Sequence, residues 1–282
     1  MICNCSSEKE ELQISFNGKR YSYVKMQHTI KDIEEESMNT SWIESDNLII
    51  QYSNEYKDYL GNMISYSEEG YKRIAEDLQY SLEKFKLQIW FLNNIEYKRI
   101  TQAASGAVAL GDMDGVALIN IDLHSFDQNV SELVAHEITH LISNRISGAS
   151  YQIMLNKHPE YAQSFRCFNE ALAQTEDQSR EPVDKMLFQC FPSSNFKTLE
   201  EIDSQKNTRK NYHASVVEMR ALIVFILEKW GQDTLVDIIH LIGKHSLMQA
   251  IEKCINVPTK EFQAIWFEYM TVIIDKYEKN KP

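Results

Sequence analysis

At 282 residues, with 43% hydrophobic and 25% charged side chains, the chain can bury a sizeable core and has the balance of an ordinary globular protein. Its formal net charge of -12 argues against a nucleic-acid backbone as partner, because phosphates attract basic surfaces. No apolar run approaches the roughly 18 residues of a membrane span, and five cysteines without a regular framework fit reduced thiols.

The amino terminus lacks a hydrophobic signal region, which points to the cytoplasm for the chain as written. Cys5-Ser6-Ser7 looks like the start of a lipid-anchored mature chain, so a start further upstream would make the protein secreted or anchored. Cys3 and Cys5 alone are weak evidence for a metal. Residues 11–24 alternate apolar and polar around Asn17-Gly18, a strong hairpin signal with a type I′ turn. The acidic stretch 31–46 reads as a linker, which makes 1–46 an amino-terminal extension.

Strands are expected near 48–53, 87–93 and 116–122, separated by a long helix near 55–82. Gly111-Asp112-Met113-Asp114-Gly115 precedes the third strand and reads first as a turn, since Asp-Gly pairs favour turns. A helix follows near 130–145, with Asn129 and Glu132 as a capping pair.

That helix carries His136-Glu137-Ile138-Thr139-His140 between Leu133, Val134, Leu141 and Ile142. Residues four apart on a helix lie one above the other, so both imidazoles can grip one metal ion. Glu137 lies about 100° further round and can reach a water at that metal. Unpartnered imidazoles are costly in an apolar helix, so core filling is the weaker reading. A catalytic zinc takes three protein ligands and keeps one position open. The third ligand is expected from Glu170, on a helix whose Ala171 and Ala173 permit close approach; Glu176 is the fallback. Two imidazoles and a carboxylate favour Zn2+, one per chain, although manganese or cobalt suit the same donors.

Loop-rich sequence is expected over 179–211, punctuated by Pro182 and Pro192, as one wall of a cleft or an ordinary connection. Lys206 to Lys210 reads as a solvated basic connection. A helix then starts around Tyr212 and stops at Gly231; apolar spacing continues through Ile242 and again from Phe262 to Met270. These stripes read as core.

His-Glu-x-x-His followed by Asn169-Glu170-Ala171-Leu172-Ala173 resembles the gluzincins, the thermolysin-like zinc peptidases, and most closely their compact bacterial peptidase MA-like domains. The likeness runs over residues 46–275, although only these two segments are sharply specific. It implies an α+β fold: a zincin-like catalytic lobe over 47–178, with a small mixed sheet plus active-site helices, then a cleft loop and an all-helical lobe over 179–282. It implies that His136, His140 and Glu170 bind zinc and that Glu137 is the catalytic acid/base. Tyr212, or failing that His213, falls at the family's oxyanion-stabilising position. Residues 115–122 are the candidate edge strand for the substrate backbone. Gly111 to Gly115 also echoes the aminopeptidase Gly-x-Met-Glu-Asn segment, with Asp114 and Gly115 in place of Glu and Asn.

The expected function is therefore a zinc-dependent peptidase, an endopeptidase acting on a peptide or protein. The alternatives are an aminopeptidase, or a zinc-binding interaction protein without turnover. Retention of Glu137 argues against the last, because a structural zinc site has no use for the base and closes its fourth position. A toxin-like peptidase with a single host substrate is also compatible with these residues.

Overall fold

The computed structural model describes residues 11–16, 19–24, 40–45, 47–81, 86–101, 107–110, 116–120, 128–177, 181–192, 194–204 and 209–280. The amino-terminal cysteines, Asn17-Gly18, the segment Gly111 to Gly115 and most of the basic stretch at 206–210 lie outside them. So do residues 31–39 of the expected linker.

Alternation at the amino terminus produces β1 (Glu11–Phe16) and β2 (Lys19–Val24), paired antiparallel from Glu11↔Val24 to Phe16↔Lys19. They form a two-stranded sheet of their own, with the register expected of a tight hairpin.

Five strands make the main sheet: β3 (Thr40–Glu44), β4 (Leu48–Ser53), β5 (Leu87–Leu92), β6 (Ala107–Leu110) and β7 (Val116–Asn120), in the order β3-β4-β5-β7-β6. The β4-β5 and β5-β7 pairs are parallel, while β3 and β6 run antiparallel at the two ends. Every residue of β4 is buried, as expected of an interior strand covered on both faces.

Two expectations need correction. Strand β3 occupies part of what reads as linker, and the 115–122 segment is not an edge. Its strand, β7, is flanked by β5 and β6, with Ala117, Leu118 and Ile119 buried. The sequence of β6, Ala107-Val108-Ala109-Leu110, is too short and alanine-rich to announce a strand, yet its antiparallel return caps the sheet.

A 3-10 turn, Asn54–Tyr59, leads into α1 (Leu60–Asp77), and α2 (Asn94–Thr101) follows β5. The motif helix is α3 (Gln128–Ser147), which begins one residue ahead of the expected cap at Asn129. Glu132 on it forms an ion pair with Arg73 of α1 at 3.4 Å. After α4 (Tyr151–Lys157), capped by the Ser150 hydroxyl, and a 3-10 turn (Pro159–Tyr161) comes α5 (Ala162–Glu176). Helices α1 and α5 both pack against α3.

The expected loop over 179–211 contains α6 (Val183–Cys190) and α7 (Leu199–Ser204). Both span only about two turns, too little for a repeating apolar pattern to stand out, and Pro182 introduces the first of them rather than a loop. The helix beginning before Tyr212 runs on as α8 (Arg209–Ile242), broken at Gly231, where φ is 83° and ψ 178°. Few residues other than glycine tolerate that backbone, so the stop signal is real but the chain resumes helix at once. Then come α9 (Leu247–Ile255), with a Ser246–Gln249 capping box, and α10 (Thr259–Lys279).

Helix α8 packs on α5 and α3, and one continuous apolar core runs from Leu48 in the sheet through Phe168 and Phe225 to Trp266 and Ile274. None of the described helices is long and apolar enough to cross a membrane. The architecture is thus mixed α and β, with helices dominating after the sheet.

Candidate metal centre

Helix α3 buries its apolar stripe, Val134, Ala135, Ile138, Leu141 and Ile142, and this fixes its rotation. The same rotation turns His136 and His140 toward α5, their rings 5.0 Å apart and nearly perpendicular. On α5, Cys167, Phe168, Ala171 and Leu172 go into the core, leaving Glu170 on the face opposite the imidazoles.

Glu170 Oε1 lies 3.7 Å from His136 Nε2, and Glu170 Oε2 lies 3.6 Å from His140 Nε2. One donor atom from each of the three residues falls within 4.8 Å of the others, so the group can hold a metal ion. Nitrogen, nitrogen and carboxylate oxygen are the donor set that suits a first-row divalent cation.

His140 and Glu170 are held by neighbouring amides. Asn169 Oδ1 accepts from the Ser143 hydroxyl at 2.7 Å, and Asn169 Nδ2 donates to Asn144 Oδ1 at 2.9 Å. With the amide so oriented, Asn169 Oδ1 faces His140 Nδ1 at 3.3 Å and can only accept. Nδ1 of His140 therefore carries a hydrogen, which leaves Nε2 to share a second proton with Glu170 or, once that proton departs, to offer its lone pair to a cation. The Asp177 carboxylate, 4% exposed, stands 3.9 Å from His136 Nδ1. It sits beyond direct hydrogen-bond reach but favours the same tautomer. Gln174 Nε2 donates to Glu170 Oε1 at 2.9 Å, the orienting contact its place one turn after Glu170 suggests.

Electrostatics mark the same cluster. Burial alone would raise the Glu170 carboxyl, but hydrogen bonding and charge from His140, then His136, bring it down to about 2. Burial would lower His140, and contact with Glu170 and the Glu137 charge outweigh it, so its pKa rises. Proton and metal compete for one pair of ligands.

Glu137, only 3% exposed, follows His136 on α3. Tyr212, near the start of α8, is close enough to Glu170 to feel its charge: burial first, then that carboxylate, pushes the phenol up, against the opposing pull of Arg166. His213, the next residue round the helix, is exposed. Glu176 belongs to another group: burial and the Asp77 carboxyl raise its pKa, while Arg73 opposes them. The expected fallback ligand is therefore turned away from the imidazoles. Asp177 and Arg166 were not legible in the sequence. The polar run Thr175 to Gln178 reads as a solvated helix end, and nothing local to Arg166 advertises its neighbours.

No protein-family model matches the chain, and no curated protein matches it.

Proposed function

We propose that this chain is a zinc-dependent endopeptidase. The observation that carries the reading is the meeting of His136, His140 and Glu170 donors within 4.8 Å, with Glu137 adjacent on the same helix. His136 Nε2, His140 Nε2 and the Glu170 carboxylate would hold the ion. A bound zinc ion supplies Lewis acidity, drawing the pKa of a water from 15.7 toward about 7 and polarising a carbonyl.

The protein's own groups do the rest. Glu137 accepts the proton of the attacking water at a carboxylate oxygen and delivers it to the leaving amine nitrogen. The raised pKa of Tyr212 keeps its hydroxyl protonated at neutral pH, so it donates a hydrogen bond to the carbonyl oxygen as charge develops there. Asn169, Asp177 and Gln174 keep the three donors oriented. The end strand β6 lies against α3 and, among the described residues, pairs only with β7, leaving an edge where a substrate backbone can add as a further strand.

Casein and quenched fluorescent peptides, with and without a chelator, test the reading. We expect chelator-sensitive hydrolysis, including of peptides blocked at the amino terminus; cleavage of unblocked peptides alone would indicate an aminopeptidase. Glu137→Gln should retain stoichiometric zinc while losing roughly 100- to 10,000-fold in kcat. Full activity in that variant removes the assigned base, and no chelator-sensitive hydrolysis of any peptide removes the function.

A further inference from the structure

Arg166 precedes Glu170 by one turn of α5 and so shares its face. Its guanidinium carbon lies over the Tyr212 ring at 4.3 Å and over the Tyr151 ring at 5.0 Å. Tyr212 in turn is within electrostatic reach of Glu170. Arg166, Tyr212 and Glu170 are therefore neighbours beside the metal ligands, built from α5 and the first turn of α8.

The chain carries 41 acidic against 29 basic side chains, and Arg73, Lys86 and Lys185 are all ion-paired, with Glu132, Glu44 and Glu181. Among the described residues, Arg166 has no carboxylate partner within the 4.0 Å of an ion pair. It lies instead against the Tyr151 and Tyr212 rings, and its charge and hydrogen bonding also act on the Tyr212 hydroxyl. A guanidinium over ring faces is held by the ring quadrupoles. Its N–H donors form a planar fork of the kind that matches the two oxygens of a carboxylate. Two aromatic platforms also restrict the side chain beforehand, which reduces the freedom lost when an anion docks.

We propose that Arg166 is a specificity-determining residue that binds a carboxylate of the peptide substrate beside the scissile bond. The assignment rests on reading the metal centre as a peptidase site. That carboxylate belongs either to an acidic side chain near the cleavage point or to a free carboxyl terminus.

Two peptide series distinguish the sources. One has both termini blocked and differs only by Glu or Gln at successive positions around the cleaved bond. The other has no acidic side chain and differs only by a free or amidated carboxyl terminus. Hydrolysis is measured for the zinc-loaded wild type, Arg166→Lys and Arg166→Gln. Equilibrium binding of the same labelled peptides is measured on zinc-loaded Glu137→Gln and on the Glu137→Gln, Arg166→Gln double variant.

In one series, the wild type should favour the carboxylate-bearing peptide by roughly ten- to a hundred-fold in kcat/KM. Arg166→Gln should bring that ratio near one, and Arg166→Lys should keep part of it as a point charge. Equal chelator-sensitive cleavage of both members in both series overturns the proposal and leaves the peptidase reading intact. A ratio that survives unchanged in Arg166→Gln also overturns it. Carboxylate-dependent binding that disappears with Arg166, without hydrolysis of any peptide, supports the assignment and counts against the peptidase. Should Arg166→Gln not fold, the wild-type ratio and Arg166→Lys still decide.

Discussion

His136, Glu137 and His140 announce themselves because their chemistry depends on spacing along one helix, which a linear sequence displays directly. Glu170 is nearly as legible, since a third ligand is required and small residues around it permit close helix approach. Asp177 is not, because its position behind His136 arises only when the end of α5 folds against α3. Its role has a measurable consequence. Asp177→Asn removes the charge but keeps the shape, and should weaken zinc binding roughly 10- to 100-fold in competition with a chelator. Unchanged affinity would dismiss Asp177 as an orienting group. Asn169 differs: it stands in the sequence beside Glu170 as part of a motif, and the structure supplies the reason, a hydrogen-bonded anchor into α3.

At the scale of elements, long amphipathic helices and apolar strands were legible, and short or close-packed features were not. Strand β6 and helices α6 and α7 are too brief for periodicity, and the true edge of the sheet was missed with them. Gly243 directly follows α8, and its role is proximity. A Cβ there would lie 1.9 Å from the Ser147 carbonyl oxygen at the end of α3, so only hydrogen fits. Gly243→Ala must push the two helix ends apart, at about 1–3 kcal/mol, and should lower the melting temperature by several degrees. An unshifted transition would show that the junction yields freely.

Glu218, on the first half of α8, makes the opposite prediction. It is fully buried; Oε1 accepts from the Lys197 amide at 2.7 Å and Oε2 has no hydrogen-bond partner. Burial raises its pKa from 4.5 to about 7. The folded state thus holds this proton more tightly than the unfolded chain. The contribution to stability is complete below pH 4.5 and is lost as pH rises through about 7. Glu218→Gln mimics the protonated form and should stabilise the protein at pH 8 by on the order of 3 kcal/mol, with little effect at pH 4.5. Denaturant melts at the two pH values test this; equal shifts at both would exclude the titration.

For the molecule as a whole, one apolar core joins the sheet, α3, α5 and the later helices, so the ligand-bearing helices are clamped from both sides. That continuity was only partly legible: apolar stripes say that a face is buried, not against what. A cation held by these folded donors should stabilise the whole fold. With free zinc at about 100 times its dissociation constant, the gain is about 2.7 kcal/mol, or roughly 5–10 °C in melting temperature. His140→Ala should abolish the shift, and a zinc-independent melting curve in the wild type would exclude the centre.

The Asn169 amide, gripped by Ser143 and Asn144, has one last consequence. Because folding itself sets the rack on which His140 and Glu170 hang, the arriving cation has nothing to rearrange. Uptake is then governed by diffusion and by departure of the imidazolium proton that Glu170 helps His140 to retain. Loading should quicken as the solution becomes more alkaline.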